Sequence, residues 1–261
     1  MPGISKKLQP KPITHFKIYG ERCSGTYLLE DTICQNFEIN YWHHNKFGHK
    51  HFLHSINFND NAVGNTLFIC IVRDPINWLN SLYRTPHHLP SKMCSSPENF
   101  ITQEVTAWTY NPSRMKKYSR SNQAPELKDE RNPYNGEIFK NIFELRHIKN
   151  QWMIEELPKK VKNYILIRYE DLVNDFEATM RKIREKGLKQ KDVSRGIKDM
   201  KNWMKERGDE DVDKKTFEFV QINPNNPVRG WMKNKPCNDL NITGSDIPKQ
   251  YHKYEKILGY F

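Results

Sequence analysis

Apolar residues follow two rhythms along this chain. Short runs dense in β-branched and aromatic types, "ITHFKIY" at 13–19, "LFICIV" at 67–72 and "NYILIRYEDL" at 163–172, read as strands. The run from Leu67 to Val72 is unbroken, the pattern of a strand buried on both faces. Between these runs the spacing turns helical. Leu28, Leu29 and Ile33 share a face in 26–36, Ile76, Leu79 and Tyr83 share one behind Pro75, and Ile138, Ile142, Leu145, Ile148 and Trp152 mark an amphipathic helix. Residues 97–110 and the segment after 172 to about 185 also read as helix, and 37–40 as a short strand. Further on, "TFEFVQI" at 216–222 reads as a strand and "IPKQYHKYEKILGYF" as a closing helix. The alternation predicts an α/β fold: a parallel sheet of about four to five strands, helices on both faces, and a helical C-terminal third.

Two segments lack apolar anchors. Residues 1–12, with Pro2, Pro10 and Pro12, read as a flexible tail, and 111–136 as a long surface loop. No repeat or linker divides the rest, so 13–261 is expected to be a single domain.

Composition narrows the class. The net charge of +11 has two readings, a solvated surface or an anionic ligand. The densest basic run, "RMKK" at 114–117, is too short for a nucleic-acid arm, and no nucleic-acid partner is expected. The N-terminus lacks the apolar core of a signal peptide, and nothing approaches the roughly 18 consecutive apolar residues of a membrane span. The five cysteines, Cys23, Cys34, Cys70, Cys94 and Cys237, are odd in number and lack CxxC spacing. They read as reduced thiols in a soluble, cytoplasmic protein. In that setting the Asn241-Ile242-Thr243 glycosylation pattern goes unused.

The strongest chemical signal is "YGERCSGTYLLED" at 19–31, a glycine-bounded turn between a predicted strand and a predicted helix. Such a turn exposes backbone N–H groups at a helix N-terminus, where anions bind. Its Gly20-x4-Gly25-Thr26 spacing resembles a P-loop without the lysine that neutralises the β/γ-phosphates of ATP or GTP. That absence argues against a kinase or NTPase. A second segment, "VRDPINWLNSLY", puts Arg73 at the end of a buried strand and Ser81 eight residues later in the next helix. Ligands of open α/β sheets bind at strand C-termini, so both side chains are candidates for one anion. Taken alone, Arg73 and Asp74 also fit a surface pair with a helix cap.

Together, "ERCSGTYLLE" and "VRDPINWLNSLY" resemble the two nucleotide signatures of sulfotransferases that use 3'-phosphoadenosine-5'-phosphosulfate. "ILIRYEDLV" and "NIFELRHIKNQW" resemble further blocks of a subgroup whose loop reads Glu-Arg-x-Ser-Gly-Thr. The resemblance spans scattered blocks over roughly 13–185. It implies a P-loop-like fold and the nucleotide as sulfonyl donor, with adenosine 3',5'-bisphosphate as product. Arg22, Cys23, Ser24, Gly25, Thr26 and Tyr27 would hold the 5'-phosphosulfate, and Arg73 and Ser81 the 3'-phosphate. Arg229-Gly230 matches a late element on the 3'-phosphate, and Tyr169 is a candidate against the adenine. One departure stands out: Cys23 occupies the position where the family usually has Lys or Arg. Three readings stay open: Arg22 reaches the transferring group, another cation such as Lys50 does so, or the chain binds nucleotide without transfer.

Sulfonyl transfer needs an anion cradle, a cation at the leaving oxygen and a base at the acceptor. The loop 43–54 carries His43, His44, His49, His51 and His54. His49 and His51 alternate, yet no zinc-spaced partners accompany them, so no metal is expected. Lys50-His51 matches a Lys-His pair of related sulfotransferase-like proteins, which makes His51 the candidate base. The acceptor, whether a small molecule, a glycan or a peptide, is not legible, and neither is the oligomeric state.

Overall fold

The computed structural model describes residues 12–43, 46–53, 56–90, 92–107, 130–192, 219 and 240–261. Four strands form one parallel sheet in the order β2-β1-β3-β4. They are β1 (His15–Tyr19), β2 (Asn40–Tyr41), β3 (Thr66–Val72) and β4 (Tyr164–Arg168). β1 runs in register with β3, Ile18 opposite Ile69, and β3 with β4, Ile69 opposite Ile165. β1 connects outward to β2 on one side, while β3 continues to β4 on the other. The order therefore reverses between β1 and β3, and the loops that leave their C-terminal ends frame the crevice where ligands of such sheets bind.

Strand alternation sorts the central residues onto two faces. Leu67, Ile69 and Ile71 join Phe16 and Ile18 under α1 (Thr26–Asn36). Phe68, Cys70 and Val72 join Tyr19 against Trp152, Met153 and Leu157 on the opposite face. Both faces are covered, which explains the unbroken apolar run of β3. A third cluster, around Trp78, Leu82, Phe100, Phe139 and Leu145, gathers α2 (Pro75–Arg84), α3 (Pro97–Thr102) and α4 (Ile142–Gln151). A π-helical turn, Trp152–Glu156, leads from α4 into α5 (Leu157–Lys160). Among the described residues, no helix is long and apolar enough to cross a membrane.

The boundaries differ from the sequence reading at six places, with a local reason for three of them. The predicted strand at 163–172 ends at Arg168, and Tyr169-Glu-Asp-Leu opens α6 (Tyr169–Asn174). Two carboxylates in that first turn suit the positive end of a helix. The helix expected from 138 starts at Ile142, because Asn141 Oδ1 accepts the Glu144 N–H at 2.9 Å and Glu144 returns a bond to the Lys140 N–H at 2.6 Å. The helix expected over 97–110 stops at Thr102, since Val105 pairs antiparallel with Phe139. The short strand falls at 40–41 rather than 37–40. The segment after 172 makes two helices, α6 and α7 (Phe176–Arg184). The closing helix is α8 (His252–Ile257), preceded by a 3-10 turn. The tail at 1–11, most of the loop at 111–136 and of the 216–222 strand, and the pair Arg229-Gly230 lie outside the described residues.

Candidate functional site

The glycine turn lies between β1 and α1 as its sequence predicts. Neither of its glycines tolerates a Cβ. One at Gly20 would stand 2.6 Å from the Ile71 carbonyl oxygen, and one at Gly25 would stand 2.4 Å from Tyr169 Cδ2. Gly25 also adopts φ 91° at the N-cap of α1, and no side chain caps that helix end. An uncapped helix N-terminus presents the positive end of the helix dipole.

Arg73 and Ser81 do meet the loop. The Arg73 guanidinium donates to the Cys23 carbonyl at 3.0 Å and lies 4.6 Å over the Tyr169 ring, the ring that packs on Gly25. Its Nε is buried without a hydrogen-bond partner among the described residues. The Cys23 thiol donates to the Thr85 carbonyl at 3.7 Å, and Ser81 of α2 lies near enough to the thiol to lower its pKa. Behind them, Trp78 Nε1 donates to the Arg22 carbonyl at 2.8 Å. Arg146 donates to the Arg73 carbonyl at 2.7 Å while gripping Glu255 with Nε at 2.7 Å and a terminal nitrogen at 2.8 Å. The segments 19–31 and 72–83, far apart in sequence, thus pack against each other.

Arg22 has a different placement from the one its loop position suggests. Its side chain is 1% exposed and faces carboxylates, with Glu21 Oε1 at 2.9 Å and Glu130 Oε2 at 3.0 Å. A fourth charge completes the cluster: Lys149 Nζ bonds Glu21 Oε2 at 2.6 Å and pairs with Glu130. Burial alone would raise the Glu21 pKa, but the Lys149 and Arg22 cations hold its carboxyl below the usual range. For Glu130 burial prevails and its pKa is raised. Cys23 occupies a left-handed conformation at φ 63°, and burial pushes its thiol up to about 11, so it stays protonated at neutral pH.

The Lys50-His51 pair reaches the same turn. The Gly20 N–H donates to the Lys50 carbonyl at 3.1 Å, and His51 Nδ1 lies 2.7 Å from the Gly20 carbonyl oxygen. A carbonyl only accepts, so the proton is on Nδ1 and Nε2 carries the lone pair. Burial and the neighbouring His49 and Lys50 hold the His51 pKa well below the usual imidazole value. Lys50 Nζ sits 3.1 Å from Glu30 Oε2 and 3.3 Å over the half-exposed ring of Tyr27. Lys149 also donates to the His51 carbonyl at 2.8 Å, tying the charge cluster to the base loop. His44 and His54 lie outside the described residues. Among the described residues no group of three or more His, Cys, Asp or Glu is arranged to hold a metal ion.

Sequence reasoning missed Glu21, Glu130 and Lys149. It missed Lys17 as well, although a lysine inside an otherwise apolar strand was a visible signal. No family model, curated protein or solved structure matches the chain.

Proposed function

We propose that this chain is a sulfotransferase that moves a sulfonyl group from 3'-phosphoadenosine-5'-phosphosulfate to a hydroxyl or amine. The observation that carries the reading is the convergence of Arg73 and Ser81 on Cys23, beside an uncapped helix N-terminus at the sheet's switch point. These are the groups that the sequence resemblance assigns to the two ends of one nucleotide. In this reading Ser24, Gly25, Thr26 and Tyr27 hold the 5'-phosphosulfate as anions are held at helix N-termini, Ser24 through its hydroxyl because its N–H already donates to the Glu21 carbonyl at 3.1 Å. Arg73 turns its unpartnered Nε to the 3'-phosphate, Ser81 adds a hydroxyl, and Tyr169 borders the adenine. Arg229 and Gly230 remain assigned to the 3'-phosphate by resemblance alone.

Transfer then runs through His51. The acceptor oxygen or nitrogen forms a bond to sulfur while His51 Nε2 takes its proton. The bond from sulfur to the 5'-phosphate oxygen breaks, and the electron pair leaves with adenosine 3',5'-bisphosphate. Arg22, engaged by Glu21 and Glu130, supports the loop from behind. Lys50, paired with the single carboxylate of Glu30 and 3.3 Å over the half-exposed Tyr27 ring, is the candidate cation for the leaving oxygen, and no metal is required. The acceptor class stays open among small molecules, glycans and peptides. The odd number and scattered spacing of the cysteines fit a reducing, cytoplasmic setting.

One observation favours a second reading, a sulfotransferase-fold protein that binds nucleotide without turnover. The position before Ser24 holds a half-buried, protonated thiol instead of a cation. Calorimetry with adenosine 3',5'-bisphosphate against ATP tests the shared site, and preference for ATP or no binding overturns both readings. Labelled sulfonyl transfer to an acceptor panel then separates enzyme from binder.

A further inference from the structure

Lys17 lies in the middle of β1 with no exposed surface. Strand alternation places it on the same face as Tyr19, and both side chains reach the segment that leads to His51. Lys17 Nζ is 3.3 Å from the Trp42 carbonyl oxygen, 2.9 Å from those of His43 and Lys46, and 2.6 Å from that of Gly48. The Tyr19 hydroxyl donates to the Phe47 carbonyl at 2.7 Å. Three consecutive carbonyls, 46 to 48, are therefore captured by two side chains of one strand. Phe47 and Gly48 both take left-handed backbone angles, φ 56° and 68°. For Phe47 that conformation is strained, and the anchors on β1 offset the cost.

Four carbonyl oxygens around one point form a cation cage. Burial and the Lys50 ammonium pull the Lys17 pKa down to about 7, with Glu30 acting the other way. The oxygens favour the charged form, because a neutral amine has two N–H groups and a lone pair that further carbonyls would repel.

We propose that Lys17 is a tethered cation in a carbonyl cage built for a monovalent cation, and that this cage fixes residues 46–51 and the stance of Lys50 and His51. The inference rests on the cage geometry and does not require that the protein transfer sulfonyl groups. It predicts that shortening Lys17 creates a binding site for a small free cation carrying N–H donors.

The test is hydrogen exchange of the 46–53 amides, followed by mass spectrometry, in wild type and Lys17→Ala. Loss of the ammonium should speed exchange there by about 10- to 100-fold, the range for charge-assisted bonds to buried groups. Ammonium or methylammonium chloride should restore protection in Lys17→Ala, while tetramethylammonium, which has no N–H donor, should not. Unchanged exchange in the variant, or equal recovery with all three salts, overturns the proposal. Should Lys17→Ala fail to fold in every salt, Lys17→Gln decides. Faster exchange confined to 46–53 supports the cage, and wild-type exchange overturns it. Bisphosphate affinity, measured in parallel, reports on the sulfotransferase reading separately.

Discussion

Gly20 is bonded through both its N–H and its carbonyl to the Lys50-His51 pair. The Gly20 N–H donates to the Lys50 carbonyl at 3.1 Å, and the Gly20 carbonyl accepts from His51 Nδ1 at 2.7 Å. The residue that opens the glycine turn therefore also sets the tautomer of the candidate base.

That link makes His51 the first residue to test. His51→Ala should lower sulfonyl transfer by about 100- to 10,000-fold, the usual contribution of a positioned base. Calorimetry should find bisphosphate binding close to wild type. His49→Ala and His43→Ala should keep most of the activity. Retained activity in His51→Ala would move the base elsewhere.

The pH dependence follows from the direction of the His51 shift. Its folded pKa lies below the ordinary imidazole value of about 6.5, so the base is already neutral at pH 7. The transfer rate should stay flat through neutrality and fall only in acid, below that value. Stability follows the same sign. The unfolded chain binds the proton first, so this group's contribution is present above about pH 6.5 and is lost as pH falls toward the folded pKa. A rate profile with its ascending limb at or above 6.5 would contradict the buried, Gly20-bonded imidazole.

Arg73 is expected to govern nucleotide affinity. Arg73→Ala removes a guanidinium with a buried, unpartnered Nε beside the cradle. Bisphosphate binding should weaken by about 2 kcal/mol or more, as for loss of a charge-assisted bond. Unaltered affinity would remove Arg73 from the site.

Gly25→Ala should damage the cradle and the fold together. The added methyl meets the Tyr169 ring, and φ 91° disfavours any L side chain. About 1–3 kcal/mol of stability should be lost, read by denaturant melts. Adding Tyr169→Ala should recover the clash component but not the backbone component. Full recovery would show that the left-handed conformation costs nothing here.

The buried cluster behind the loop makes a stability prediction. Lys149→Met leaves Glu21 and Glu130 facing each other with Arg22 alone, and breaking such a buried network costs about 3–5 kcal/mol. Adding Glu130→Gln should restore part of the loss, because one buried carboxylate no longer needs a partner. A double variant less stable than the single one would show that Glu130 contributes more than charge pairing.

The strand-turn-helix at 13–36, the two-faced burial of β3 and the approach of Arg73 to the cradle are written in local sequence. Each depends on apolar spacing within a dozen residues, or on the rule that strand ends face the crevice of an open sheet. The order β2-β1-β3-β4 and the partners of the charged residues are not local. Arg22, one residue from the expected catalytic position, looked like a substitute cation, and only the packing of residues 130 and 149 against the loop shows its charge already matched. Lys17 was one polar letter in an apolar strand until the carbonyls of Trp42, His43, Lys46 and Gly48 folded around it. Apolar burial is set by pattern, because any neighbour of suitable shape satisfies it. A buried charge needs particular oxygens or nitrogens at about 3 Å, and which ones arrive is decided by the tertiary fold alone.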